Sequence, residues 1–487
     1  MRNPLPILSV STALALLGAC TVGPDYAGPP AVVSAPSDGQ AGFVRADEAT
    51  PTGEPALARW WEALGDPVLN DLQQRALAGS PDIAMAQARL RDARAAVGIS
   101  KAEGMPSISA MGVAATIRIP DLGGDEDGQG ETGGESDSGT SSTNFYNLGL
   151  NGSWEIDLFG GRRRHNEAAR AGLNAAEASM ADAQVSLTSA VAQAYLQFRD
   201  RQQRTALAEQ AIAKNAGRLE LQRQRYERGT GTQIEVDREQ AALSDAQRQL
   251  SALRAEGEGF ANALAVLTGQ MPGAVDTLLA EGRDIPLPPA DVAVGDPAAL
   301  IQRRPDIRVA ERKLAAETAR IGEAQAARFP RLSFMGILGI GGTEPKDLTH
   351  LDDFTAIAAP MLQWNFLDFG KGKAQVSQAE AKRDVAEASY RATVLSALRD
   401  VEDALGNFRS SREAVAHLAR AEASAARIEQ LTRQRYELGA GALPELLRAE
   451  LDHNAAQSRL DAARAELTIN FIALQKALGL GWFGEEG

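Results

Sequence analysis

Cysteine occurs once in these 487 residues, at Cys20, which excludes a disulfide framework and any cysteine-built zinc or iron–sulfur site. Histidine occurs four times, at His165, His350, His417 and His453, and none has a second His or a Cys at metal-ligand spacing, so no metal is expected. Basic residues are outnumbered 50 to 64 by acidic ones, and a formal charge of −14 argues against a nucleic-acid binder, which needs a basic face. No segment beyond the N-terminus approaches 18 consecutive apolar residues, so no transmembrane helix is expected. P-loop, dinucleotide and nucleophile-elbow motifs are missing, which leaves no support for an enzyme or a cofactor. Aromatics are only 5% of a chain that is 44% apolar and rich in alanine. That balance suits long, closely packed helices better than one bulky globular core.

The N-terminus reads as a processing signal. Arg2 supplies a positive start, and Leu5 to Leu17 form an apolar stretch too short to span a bilayer. It ends in Leu17-Gly18-Ala19-Cys20, which resembles a bacterial lipoprotein box and implies cleavage of residues 1–19 and lipid attachment at Cys20. Residues 20–59, rich in Pro, Gly, Ser and Asp, read as a lipid-anchored extended tether.

The chain is internally repeated, and repeats decide architecture before anything else. Residues 81–109 align without gaps on 305–333 at an offset of 224, with ten of 29 positions identical. Further on, WEIDLFG (154–160) aligns on WNFLDFG (364–370), and RQRYERGTG (223–231) on RQRYELGAG (433–441), both at an offset of 210. The difference is an insertion in the first copy, whose core at 121–143 carries seven acids and no Lys or Arg and reads as a solvated loop. We therefore divide the chain into a first repeat (60–270), a linker (271–303), a second repeat (304–480) and a tail (481–487).

Two periodicities recur in each repeat. Leu148, Leu150, Trp154 and Ile156 alternate with polar or small residues, as do Leu332, Phe334, Leu338 and Ile340, and then Leu362, Trp364 and Phe366; a period of two predicts strands. Leu173, Ala176, Met180, Ala183, Leu187, Ala190 and Ala194 form a heptad seam, and Val394, Leu398, Val401, Leu405 and Phe408 another, with Val191, Tyr195 and Phe198 equivalent in the first copy. Such seams fit a closed ring of helices or a coiled-coil bundle. Residues 162–228 would make a helix of about 100 Å, matched by helices 232–268 and 81–104 placed end to end.

Four strands per chain cannot close a membrane barrel, and an open edge in lipid leaves backbone groups unsatisfied. Two chains would give eight strands, a barrel filled by its own side chains; three would give twelve, enough for an aqueous lumen. A homotrimer follows as the expectation.

The segments CTVGPDY (20–26), RRPDIRVAERKLAAETARIGEAQAARFPRLS (303–333), WEIDLFG, WNFLDFG and the paired RYE-x-G elements together resemble the TolC-type outer-membrane efflux proteins, in the NodT/OprM-like lipoprotein branch that serves resistance-nodulation-division (RND) pumps. The resemblance implies a mainly α fold with membrane β: antiparallel coiled-coil helices forming a periplasmic α-barrel, beneath a trimeric twelve-stranded β-barrel in the outer membrane of a Gram-negative bacterium. It implies a passive conduit for drugs or other toxic small molecules, partnered by a periplasmic adaptor and an inner-membrane RND pump. It places the loops 119–146 and 341–354 outside the cell. It places adaptor-docking tips at Arg225, Tyr226, Gly229 and Gly231 and at Arg435, Tyr436, Gly439 and Gly441, where the glycines also mark a helix reversal.

Members of the family narrow their entrance with aspartates just past the second tip. Here that stretch reads Leu446-Leu447-Arg448-Ala449-Glu450, with Glu445 ahead of it and Glu235 and Arg238 at the equivalent positions of the first copy. These charges could cross-link neighbouring tips as a gate, or Glu445 and Arg448 could be an ordinary i,i+3 helix pair. Two other functions stay open on sequence: a lipid-anchored periplasmic coiled-coil scaffold without a pore, and the duct of a peptide or protein secretion system.

Overall fold

The structure, a computed structural model, describes residues 21–32, 43–45, 58–120, 140–349 and 354–483. The signal segment 1–19, Cys20, most of the acidic loop and the end of the tail lie outside the described residues.

The elements run in chain order α1 (Pro67–Gly79), α2 (Pro81–Glu103), β1 (Ser107–Pro120), β2 (Thr140–Ile156), α3 (Gly161–Glu227) and α4 (Gln233–Leu267), then the short α5 (Asp276–Leu279) and α6 (Pro297–Arg303). They continue as α7 (Pro305–Ala326), β3 (Arg331–Gly342), β4 (Phe354–Gln363), α8 (Lys371–Glu437) and α9 (Leu443–Ala477). Helices α3 and α8 are both 67 residues long, and α4 and α9 both 35, with bounds displaced by the 210 residues that align the sequence. The fold is mainly helical with one small sheet.

The chain forms two compact units. One, built from described parts of Met1–Gly28, Ala93–Leu173 and Lys313–Ala386, carries the sheet, an antiparallel meander in the order β1-β2-β3-β4. Ser107 faces Ser153, Leu150 faces Leu338, and Arg331 faces Gln363. Strand β4 ends at Gln363, so Trp364 and Phe366, read as strand positions from their alternation, lie just beyond it. The aligned residues of β2, Trp154 and Ile156, stay in the ladder because β3 lies beside them, whereas among the described residues β4 has no neighbour on its outer side. Both tryptophans nonetheless make the same bond: the Trp154 indole donates to the Gly104 carbonyl at 3.2 Å and the Trp364 indole to that of Arg328 at 3.1 Å. Each satisfies an orphan carbonyl of the turn that follows α2 or α7.

The other unit holds the main apolar core. Trp60 meets Phe471 edge-on at 6.0 Å, among buried Leu69, Leu72, Leu196, Leu264 and Leu474. Helix α1 is started by Asp66, whose carboxylate accepts from the amides of Val68 and Leu69, with Pro67 at the first helical position. The same carboxylate accepts from the Tyr195 hydroxyl at 2.5 Å, which in turn accepts from fully buried Arg199. Burial first, then the bond to Asp66, push the Tyr195 phenol up from its ordinary pKa.

The second heptad seam is buried as expected, with Val394, Val401, Leu405 and Phe408 inside. The first is only partly so. Along the start of α3 the buried line is Ala168, Ala171, Ala175 and Ala178, while Leu173, Ala176, Met180 and Ala183 stay half-buried. Alanine lets a neighbouring backbone approach closely, and it takes the most buried line, while Met180 and Ala183 of the seam still pack partly against the core.

Candidate functional site

Pairing register assigns the sheet's two faces, since residues directly opposite share a face. One face carries Ile108, Ala110 and Ala114, then Leu148, Leu150, Trp154 and Ile156, then Ile340, Leu338, Phe334 and Leu332, and finally Leu362, Ala358, Ala356 and Phe354. Toward the far end of the β1/β2 hairpin the same face turns polar, with Thr116 opposite Asn144 and Arg118 opposite Ser142. Ile108, Leu148, Phe354 and Leu362 are each more than half exposed. The other face mixes Ser107, Ser109, Asn147, Asn151, Ser153, Glu155 and Ser333 with Met335 and Ile337. Among the described residues, nothing pairs with the outer edges of β1 and β4. An exposed apolar face beside two open edges aggregates in water and is unsatisfied in lipid, unless further strands close it. Among the described residues no helix is long and apolar enough to cross a membrane.

Far along the chain from the sheet, α3 turns into α4 and α8 into α9 with the same geometry. The amide of Gly229 (φ +73°) donates to the Tyr226 carbonyl at 2.9 Å and that of Thr230 to Arg225 at 2.9 Å; Gly439 (φ +72°) and Ala440 repeat this on Tyr436 and Arg435. The left-handed φ favours glycine at each of these two positions. Gly231 and Gly441 serve differently: a Cβ there would stand 3.2 and 3.1 Å from the amide nitrogens of Tyr226 and Tyr436. Both turns are solvent-exposed, with Tyr226, Tyr436 and Leu438 uncovered.

The helix starts beyond the two turns differ. Thr232 caps α4 in a full capping box: its side chain accepts from the Glu235 amide, and the Glu235 carboxylate accepts from the Thr232 amide at 2.8 Å. That backbone bond, then the Thr232 hydroxyl, hold the Glu235 carboxyl below its ordinary pKa. Ala442 stands at the same place before α9 and makes no side-chain cap. Glu445 is left exposed, and among the described residues neither it nor Arg448 makes an ion pair, so the i,i+3 pairing open on sequence is not formed. Arg238 is likewise exposed.

Sequence reading missed what lies behind the second turn. His453 on α9 places Nδ1 2.5 Å from Glu429 and Nε2 3.0 Å from Glu422, both on α8. Arg433 joins Glu429 at 2.7 Å and Glu450 at 2.6 Å. Partial burial opposes a charge on His453, but the hydrogen bonds and charges of Glu429 and Glu422 outweigh it and raise the imidazole pKa. Local spacing conceals such a cluster; reflecting α8 onto α9 about Gly441 would have found it, since 429 and 453 are equidistant from that residue. The two carboxylates sit at opposite ring nitrogens, and among the described residues no group of three metal-capable side chains converges.

Residues 22–26 are seated on α3 and α7. The side chain of Arg164, buried on α3, donates to the carbonyls of Val22 (3.3 Å) and Gly23 (3.2 Å) and to the Asp25 carboxylate (2.6 Å). A Cβ on Gly322 would strike Arg164, and one on Gly23 would stand 2.3 Å from the Gly322 Cα. Tyr26 packs on Ala171, Ala315 and Ala316.

Against known proteins, residues 72–270 and 297–480 match the sequence model of the family described as "Outer membrane efflux protein". This chain belongs to that family. It is 30% identical to nodulation protein T of Rhizobium leguminosarum bv. trifolii, over 96% of each chain. It is also 30% identical to outer membrane protein OprJ of Pseudomonas aeruginosa, over 99% of this chain and 97% of that one. Among solved structures, the outer-membrane channel OprN superposes with a TM-score of 0.81 at 32% identity, covering 95% of this chain and all of the other. The family member described here is an outer-membrane channel that extends into the periplasm and takes part in tripartite efflux. Family and fold are those of channels, with no known enzyme among the matches reported.

Proposed function

We propose that three copies of this efflux channel close into a passive conduit, each contributing four strands to a twelve-stranded barrel and its helices to a periplasmic α-barrel. One observation carries this reading: the four-stranded sheet has a predominantly apolar face and, among the described residues, two unpaired edges, which lipid tolerates only in a closed ring. Equal helix lengths and the two separate family matches support descent of residues 60–270 and 304–480 from one duplicated unit. Lipid attached at Cys20 would anchor the chain beside outer-membrane lipid. The exposed turns around Gly229 and Gly439 dock a periplasmic adaptor linked to an inner-membrane RND pump, and small molecules pass outward without chemistry. Glu445 and Arg448, without an ion pair among the described residues, face neighbouring copies at the entrance, with Glu235 and Arg238 at the companion tip.

Native mass spectrometry and planar-bilayer recording of the purified protein test this together. A trimer with discrete conductance is expected; a stable monomer, or a trimer that never conducts, leaves a scaffold as the better account. Conductance that passes polypeptide rather than small solutes would favour a secretion duct.

A further inference from the structure

The two helical hairpins, α3/α4 and α8/α9, align at an offset of 210, yet one layer of side chains differs in kind. In the second hairpin His453 on α9 stands between Glu429 and Glu422, two turns apart on α8, one carboxylate at each ring nitrogen. Arg433 of α8 bridges Glu429 and Glu450 and so ties the two helices again. Subtracting 210 turns His453 into Leu243, Glu429 into Leu219 and Glu422 into Ile212, so the first hairpin is aliphatic where the second is ionic. Leu219 is buried, and Ile212 and Leu243 are half-buried. The arginine bridge persists there without its acid, as Arg223 donating to Gln240 at 3.1 Å.

The same turn of α9 also joins one hairpin to the other. Lys214 of α3 donates to the Glu450 carbonyl and to the Asn454 side-chain oxygen, each at 3.4 Å. The Asn454 amide donates back to the Leu207 carbonyl of α3 at 3.4 Å. Between Glu450 and Asn454, then, α9 is gripped by α8 through His453 and by α3 through Lys214. The candidate gate residues Arg448 and Glu445 precede His453 on this helix by about 7.5 and 12 Å.

Resting on the conduit reading, we infer that this layer is a proton-operated clamp on the entrance: protonated His453 locks α9 to α8, and the neutral ring releases it. An imidazolium donates from both nitrogens and serves Glu422 and Glu429 together. A neutral imidazole has one N–H, so its other nitrogen turns a lone pair toward a carboxylate and a bond becomes a repulsion. On α8 and α9, Glu422, Glu429 and Glu450 are then left with Arg433 as their cation, while exposed Asp452 beside His453 adds to the negative side. From α3, Lys214 meets a carbonyl and an amide oxygen rather than these carboxylates. The two glutamates outweigh partial burial and raise the ring's pKa, so the clamp is whole below the ordinary value near 6.5 and is lost as pH rises through the elevated one. Released from α8, α9 keeps the apolar packing of Leu446 and Ala449 and its bonds to α3 but no longer a fixed crossing with α8. Its first turns, with Glu445 and Arg448, gain freedom to move, and the entrance opens. The aliphatic first hairpin has no such response, so the opening is one-sided in each chain.

Planar-bilayer recording of the intact channel between about pH 5.5 and 8.5, at one salt concentration, tests the clamp. Wild-type conductance should rise about threefold or more, with the midpoint above the ordinary histidine value. His453→Gln should be flat and already high at the acid end. Glu422→Ile/Glu429→Leu/His453→Leu, which copies the first hairpin, should be flat and low. His165→Gln and His417→Gln alter histidines whose contacts are with Glu323 and Arg420, and both should keep the wild-type rise. A rise that survives in His453→Gln overturns the clamp, and so does a wild-type profile with no rise. Hydrogen exchange over residues 443–456 reads the same event without the pore. Corrected for the intrinsic effect of pH on exchange, protection should fall about tenfold from the acid to the alkaline end in wild type and stay level in His453→Gln. A protein that shows this difference but never conducts refutes the conduit and leaves the hairpin clamp standing. One that conducts with equal protection at both ends refutes the clamp alone.

Discussion

His453 and Glu429 approach to 2.5 Å across the second helical hairpin, one on α9 and the other on α8. With Glu422 on the second ring nitrogen, this makes the hairpin's grip depend on pH. The raised His453 pKa means that its contribution is fully present below the ordinary histidine value near 6.5 and is lost as pH rises through the elevated one. The Glu429 carboxyl loses energy to burial but is held low overall by Arg433 and His453, so its contribution is present above the ordinary carboxylate range and lost as pH falls through its lowered value. Thermal unfolding of the purified channel should show a lower midpoint at about pH 8.5 than at about pH 5.5. His453→Gln should flatten that difference, and an unchanged profile in the variant would refute the coupling.

The uncapped start of α9 offers a different handle. Ala442→Thr supplies the hydroxyl that Thr232 supplies to α4, a change of about 1 kcal/mol in favour of the helix. It also gives Glu445 a local partner through a capping box and draws it away from neighbouring tips. If Glu445 helps hold the entrance shut, the variant melts higher yet leaks more. Glu445→Ala with Arg448→Ala should leak as well; unchanged conductance and drug leakage in both would dismiss these charges as a gate.

Arg199 is the largest fully buried side chain, bonded to the Tyr195 hydroxyl, Gln202 and the carbonyls of Leu279 and Glu281. Replacing it by methionine fills the space but leaves the buried carbonyl of Leu279 and the Tyr195 hydroxyl without their cationic donor. Several such bonds are lost at once, so the cost should exceed the about 1–3 kcal/mol expected for Tyr195→Phe, which removes the hydroxyl's two hydrogen bonds, to Asp66 and from Arg199. Denaturant melts of the two variants check the order.

The seat of the N-terminal segment should be visible by hydrogen exchange. Amides of 21–26 are expected to be protected in the native channel and to exchange about tenfold faster or more in Arg164→Ala, with Asp25→Ala intermediate. Replacing Cys20 in a chain carrying a non-lipidating signal should leave the protection in place. Protection that vanishes with the lipid would mean that the acyl chains, not Arg164, hold the segment.

Most helix ends were legible because they are written locally. Gly229 and Gly439 announce a left-handed turn, Pro81 and Pro305 announce a first turn, and each fell within a residue or two of its expected place. Trp364 was read as strand because alternation reports which face a residue could take, not whether a neighbour is there to pair with it. The half-buried Leu173–Ala183 seam has a related cause: heptad spacing reports a shared helix face, not how completely the chain covers it. What the sequence concealed were contacts between distant segments. Nothing near Arg164 points to residues 22–25, 139 or more positions away, and His453 looked solitary because its carboxylates belong to another helix.

A sheet left unfinished at both borders makes each polypeptide answerable for its fellows. One subunit able to join on one side only spoils the ring it enters, so defects spread beyond the gene that carries them. With three copies to a ring, as proposed, a cell making equal amounts of sound and edge-defective chains would hold only about one wholly sound ring in eight, and the faulty copy would act as a dominant poison.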